Sequence, residues 1–286
     1  MPGQLYVVAT PIGNLGDMVP RAVEVLHAVD LIAAEDTRHS GRLLKHLGID
    51  TPLVAYHDHS DERQMGRVLD MLVQGQTVAL ISDAGTPLIS DPGYRLVREA
   101  RLRDIRVTPI PGACAAIAAL SASGLPSDRF SFEGFPPPKT AARVKRFETL
   151  AGSAQTMIFY ESPHRILDTL TDMIATFGSD REAVLAREIT KTFETFLTGT
   201  LTTILQQVCA DSNQQKGEMV VMVKGNVDAV SASEAEQLRI LKTLLDDLPV
   251  GKFAQLRDAH EMRLQPAVER RKQHRRDQRP ASRIQM

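Results

Sequence analysis

The sequence predicts an α/β protein: two α/β domains in succession, with a cleft between them and a short C-terminal extension. Three observations carry this. Short apolar runs alternate with helical patterns over the first 115 residues, and a second set follows after a proline-rich break at Gly134–Lys139. The runs of the first 115 residues are continuously apolar rather than alternating, as strands of a largely parallel sheet covered on both faces are. The chain has 286 residues, enough for about two domains with proper cores.

The elements follow in order. Leu5–Ala9 reads as a strand and Pro20–Ala28 as a helix opened by proline. Leu31–Ala34 is a strand, followed by a helix around Arg42–Leu47, a strand at Leu53–Tyr56 and a long helix from Asp61 to Val73. Thr77–Ile81 and Pro92–Arg103 repeat the unit, and Arg106–Ile110 is a fifth strand. Ala113–Ser123 reads as a helix ending at Gly124. In the second half, strands are expected at Phe130–Phe132, Thr156–Tyr160, Ala183–Ala186, Glu194–Thr198 and Glu218–Lys224. Helices are expected near Ala141–Leu150, Arg165–Phe177 and Leu201–Cys209. Ser233–Leu248 forms an amphipathic pattern with Ser233 and Glu236 as a capping box. The domains divide as 1–115, 116–230 and 231–286, the last a helix and a partly disordered basic tail.

The unusual residues gather after the first-domain strands. They are Thr10–Asp17, Glu35–Arg38, His57–His59, Ser82–Gly93 and Pro111–Ala115. Parallel strands place all five loops at one edge of the sheet, where open α/β folds bind ligands. Ser82–Gly93 is the most informative. Gly85 and Gly93 supply unusual backbone angles, Pro87 and Pro92 stiffen the loop, and Pro92 suits the first turn of the next helix. Each loop also has a plainer reading. Thr10–Gly16 lacks the dinucleotide spacing, and Asp36 is as well explained as a helix cap. Cys114 reads as a packing residue, and His57 with His59 reads as surface rather than as a metal site. In the second half, Tyr160–Arg165 and Arg187–Glu194 crowd polar residues after strands. Glu161 with Arg165, and Arg187 with Glu188, could be structural ion pairs.

Composition narrows the class. With 43% hydrophobic and 24% charged residues the chain is an ordinary globular protein. Two distant cysteines exclude a disulfide framework and suit a reducing cytoplasm. The start carries no signal-peptide pattern, and Cys114–Leu125 is shorter than the ~20 residues a span needs. Lys plus Arg (34) balances Asp plus Glu (35), so bulk charge marks no nucleic-acid partner. The end is uneven, with nine Arg/Lys against four Asp/Glu from Arg257 onward.

The runs VATPIGNLGD, AAEDTR, SDAGTPLISDPG, PGACAAIAALSASGLP, GFPPPK, YESPHR and REITKTFE, in this order from about Leu5 to Lys224, resemble the bacterial ribosomal RNA small subunit methyltransferase I family. That family belongs to the tetrapyrrole methylase-like, class III AdoMet-dependent methyltransferases. The resemblance implies two α/β domains of the tetrapyrrole methylase type with the cofactor in the cleft, and a cytoplasmic homodimer. It implies methylation of the ribose 2′-oxygen of cytidine 1402 in 16S rRNA. A tetrapyrrole or other small-molecule methylase is the alternative on the same fold, and a non-catalytic AdoMet-sensing RNA-binding protein is the alternative from another class.

Carried over by motif, the cofactor shell comprises Pro11, Asp83, Ala84, Gly85, Thr86, Ile89, Cys114, Ala115, Tyr160, Ile189 and Thr190. Proton removal from a ribose hydroxyl would fall to a carboxylate, with Glu35, Asp36 and Glu161 as candidates. Asp83 stands behind them, and both Asp83 and Asp91 are expected mainly to brace the turn. Arg38, Lys139, Arg165 and Lys191 are the expected phosphate contacts. No metal is called for.

Overall fold

The computed structural model describes residues 3–56 and 62–226. His57, His59, the expected helix at Ser233–Leu248 and the basic tail lie outside them. Met1–Asn226 form one compact unit, built around two sheets.

The first sheet contains β1 (Gln4–Val8), β2 (Leu31–Ala34), β3 (Leu53–Ala55), β4 (Thr77–Ile81) and β5 (Arg106–Ile110). All pair in parallel in the order β3-β2-β4-β1-β5. The buried runs Leu31–Ala34 and Val78–Ile81 occupy its middle, as their continuous apolarity requires. Helices α1 (Pro20–Ala28) and α2 (Thr37–His46) cover one face through Ala22, Leu26 and Leu44. Helices α3 (Glu62–Val73) and α4 (Tyr94–Leu102) cover the other through Val68, Leu72, Leu96 and Ala100.

Among the boundaries that differ from those expected, two have clear local reasons. Helix α2 begins five residues earlier than expected, because the Asp36 side chain accepts the Arg38 N–H and caps it. Helix α4 begins after Pro92 rather than with it. Gly93 is its N-cap at φ 128°, and a Cβ there would lie 2.7 Å from Leu80 Cδ2. A side chain would be both strained and obstructed, so only glycine serves.

Helix α5 (Ala115–Ser123) follows the last parallel strand but packs on the second sheet, with Ala116, Ala119 and Leu120 against Ile158, Val184 and Met222. We propose to count it with the second half, which puts the division at the start of α5, one residue before the expected 115/116. The second sheet contains β6 (Phe130–Gly134), β7 (Thr156–Glu161), β8 (Glu182–Arg187), β9 (Thr195–Thr200) and β10 (Met219–Val223), in the order β6-β7-β10-β8-β9. Only β6–β7 is parallel; the other pairs are antiparallel. Its other face carries α6 (Thr140–Leu150), α7 (Ile166–Phe177) and α8 (Leu201–Ala210) over a core of Phe147, Phe159, Leu170 and Val221. No helix among the described residues is long and apolar enough to cross a membrane.

Candidate active site

Strands β4, β1 and β5 are neighbours, so the loops that leave them meet. Thr10 and Gly85 exchange both backbone hydrogen bonds, at 2.9 and 3.1 Å. The Thr10 hydroxyl donates to the Ser82 carbonyl at 3.2 Å, and the Thr86 hydroxyl to the Ala113 carbonyl at 2.9 Å. The loop after β2 joins them through the Asp36 N–H, which donates to Asp83 Oδ1 at 3.0 Å. Four loops are thereby locked into one wall.

The opposite wall comes from the second sheet. The Tyr160 hydroxyl accepts the Ala116 N–H at 3.1 Å and serves the N-terminus of α5, where Cys114 provides no side-chain cap. Burial, reinforced by neighbouring Cys114, holds that hydroxyl protonated well above its ordinary range. Its ring packs edge-on against Phe132 and Phe135, with centroids at 4.8 and 5.6 Å. Glu161 is buried and fully engaged. It accepts from the Ser162 N–H at 2.7 Å, the Thr169 hydroxyl at 2.6 Å and the Arg165 guanidinium at 2.6 Å. Arg165 also donates to the Pro136 carbonyl, joining YESPHR to GFPPPK.

Arg187 shapes the next loop. Its guanidinium donates to the Lys216 and Phe193 carbonyls, both at 3.1 Å, rather than pairing with Glu188 in a hydrogen bond. Glu194 accepts the Thr190 N–H at 2.7 Å. This clamp holds Glu188 at φ 51° and Thr190 at φ 68°; across the cleft Leu88 and Ser90 sit at φ 74° and 64°. Left-handed conformations cost non-glycine residues ~1–3 kcal/mol each, and clusters of them occur where a site over-determines its backbone.

Between the walls lies a cavity of about 600 Å³, within the range of small-molecule sites. Ile12, Ile89, Ile189 and Val220 give it apolar surface, and Asp91, Glu188, Lys191 and Glu218 give it charge. Lys191 Nζ lies 3.0 Å from both Glu188 and Glu218. Burial works to raise the Glu188 carboxyl, but Lys191 and the Glu218 N–H outweigh it and hold it below its usual range. Gly217 makes this cluster possible, since a Cβ there would stand 2.3 Å from Glu188 Oε1 and 2.5 Å from its Cγ. Asp91 differs from the other carboxylates. Burial pushes it up to about 6, partly opposed by the Ser82 hydroxyl and reinforced by the charges of Glu35 and Asp83.

The cavity gathers Ala84, Gly85, Thr86, Ile89, Cys114, Ala115, Tyr160 and Ile189 from the expected shell. Pro11, Asp83 and Thr190 do not line it: Ile12 stands where Pro11 was expected, and Asp83 turns to Asp36. Asp91, expected only to brace the turn, lines the cavity. Of the expected proton acceptors, Asp36 is spent as a helix cap and Glu161 as a buried brace, although Glu161 also touches the cavity. Glu35 does not line it but lies close enough to Asp91 to act on its charge. Arg165 and Lys191 are held in close ion pairs, whereas Lys139 is exposed and Arg38 is exposed with a long contact to Asp36 at 3.7 Å. Ser90, Phe135, Ser162, Pro163 and Glu188 were missed although each lies within a recognised motif. Gly217–Val220 carried no local signal. They arrive because Met219 pairs with both Glu161 and Arg187 in the sheet.

The family model for Tetrapyrrole (Corrin/Porphyrin) Methylases matches residues 4–205. The chain is 56% identical over 89% of its length to the ribosomal RNA small subunit methyltransferase I of Pseudomonas aeruginosa, covering 91% of that protein. The chain belongs to the ribosomal RNA small subunit methyltransferase I family. The protein of that name from Escherichia coli O157:H7 is 53% identical over 89% of the methylase, and 89% of the relative is covered. Among solved structures, the uroporphyrin-III-C-methyltransferase of Thermus thermophilus superposes with a TM-score of 0.54 at 19% identity. It covers 78% of the methylase and 94% of its own chain, a likeness of fold alone.

The methyl donor of this family is AdoMet, and the cavity of the methylase fits it. The apolar walls suit a nucleoside, and the Glu188–Lys191–Glu218 cluster offers both signs of charge for a zwitterionic amino-acid end.

Proposed function

We propose that this methylase places a methyl group on the ribose 2′-oxygen of a cytidine in 16S rRNA, cytidine 1402 in the usual numbering, within the small ribosomal subunit. The observation that carries the reading is identity over nearly the whole chain with proteins named as small-subunit rRNA methyltransferases. The bound cofactor supplies an activated methyl group on a sulfonium. The chain's own residues then have three tasks: to hold the ribose hydroxyl in line, to exclude water, and to accept its proton.

We assign the last task to Asp91. Its carboxylate lines the cavity, is released from protonation near pH 6, and is paired with no cation among the described residues. Proton transfer breaks the ribose O–H bond and leaves the proton on an Asp91 carboxylate oxygen. Glu35 and Asp83 support Asp91 through their charge, while Glu161 and Asp36 are engaged elsewhere. Arg38 and Lys139 remain the proposed phosphate contacts from the sequence reading that are exposed.

The test is transfer of labelled methyl from AdoMet to small subunits prepared from a strain lacking this modification, followed by mapping of the label. Label on a ribose 2′-oxygen is expected. Label on a base, or transfer to a tetrapyrrole but not to subunits, would overturn the reading. A homodimer, which the family resemblance implies, goes with this proposal. Sedimentation equilibrium should return twice 31.5 kDa, and a monomer mass at assay concentration would exclude it.

A further inference from the structure

We propose that the outer face of α2 is a rail for RNA backbone phosphates, leading to the rim of the cavity; the proposal rests on the rRNA reading above. The helix Thr37–His46 reads TRHSGRLLKH and contains no acidic residue. At 100° per residue, Arg38, Arg42, Lys45, His46 and His39 fall within an arc of about 120°. All five are exposed, while Ser40 and Leu44 on the opposite side are buried. The arc extends ~12 Å along the axis.

The placement is not what helix stability asks for. Lys45 and His46 sit in the last turn, where cations suit the helix dipole, but Arg38 sits in the first turn, where they oppose it. Its side chain is 93% exposed and only grazes Asp36, at 3.7 Å. Among the described residues, neither Arg42 nor Lys45 enters an ion pair. The chain as a whole carries a net charge of −1, so a one-signed stripe is a local feature and not a consequence of bulk basicity.

Position gives the stripe its meaning. The N-cap of α2 is Asp36, whose N–H is hydrogen-bonded to Asp83, and Asp83 adjoins the cavity residue Ala84. Phosphates on the stripe would therefore be held by an element directly tied to the cofactor loop. Contacts of this kind fix register without reading sequence, which suits an enzyme that must present one nucleotide of a structured RNA.

The test compares the full-length protein with Arg42→Gln/Lys45→Gln, substitutions that keep good helix formers, in binding to unmethylated small subunits over a salt series. Affinity should fall about tenfold at low salt, and the slope of log K against log salt should become shallower by roughly one per cation removed. AdoMet affinity and the far-ultraviolet circular dichroism should not change. Equal affinity and equal slope for the two proteins would overturn the rail alone. A loss that is the same at every salt concentration would also overturn it, pointing to a non-phosphate contact. If the unaltered protein fails to bind subunits, the rail and the rRNA reading fall together.

Discussion

Asp91→Asn should lower kcat by about 10²–10⁴-fold, the usual contribution of a positioned general base, and leave AdoMet affinity unchanged. The amide preserves shape and can still meet the Ser82 hydroxyl, but it cannot take a proton. In the unaltered enzyme, log kcat should rise with pH to a plateau beginning near pH 6, where the buried carboxyl ionises. The variant should lose that limb. Stability supplies the control. Because the folded state raises this carboxyl above its unfolded value, its favourable contribution is present at low pH and lost as pH rises through about 6. At pH 7 the ionised group burdens the fold, so Asp91→Asn should have an equal or higher melting temperature there. A variant that retains kcat, or one that keeps the limb near pH 6, would remove Asp91 from the chemistry.

Asp172→Ala should destabilise the protein by about 3–5 kcal/mol, the range for stranding one member of a buried ion pair. Arg143 is among the most deeply buried side chains, 1% exposed, with its Nε and Nη2 at 2.7 and 2.6 Å from Asp172 Oδ2. Its remaining acceptors are neutral and longer, the Pro138 carbonyl and the Thr140 hydroxyl, both at 3.3 Å. Removing Asp172 leaves a guanidinium in the protein interior without a counter-charge. Arg143→Met should cost less, since Asp172 is 13% exposed and can rehydrate. Urea midpoints at constant m value measure both. If Asp172→Ala costs under about 1 kcal/mol, the pair behaves as a surface one. The pair also matters to the site, because Arg143 holds the Pro138 carbonyl in the segment that carries Phe135 into the cavity.

The sequence alone was enough for the strands, the helices and the edge at which the site forms. Continuous apolar runs such as Val78–Ile81 have few ways to be buried, and parallel pairing then forces every following loop to one side. It pointed as well to Ala84, Gly85, Thr86, Ile89 and Tyr160, which line the cavity, because glycine, proline and polar residues packed after a strand leave a local signature. Direction of side chains was another matter. Asp83 and Asp91 stand eight residues apart in one motif, yet one accepts a neighbouring loop's N–H and the other faces the cavity. For Glu161 in YESPHR the sequence left both a proton acceptor and an ion pair with Arg165 open, and the fold closes Arg165, Thr169 and Ser162 around it. Gly217–Val220 became part of the site only through antiparallel pairing of β10 with β7 and β8. The informative loop Ser82–Gly93 was therefore placed by sequence and oriented by tertiary structure. Local chemistry sets where a chain turns, but burial and partners brought from elsewhere in the chain set which carboxylate stays reactive.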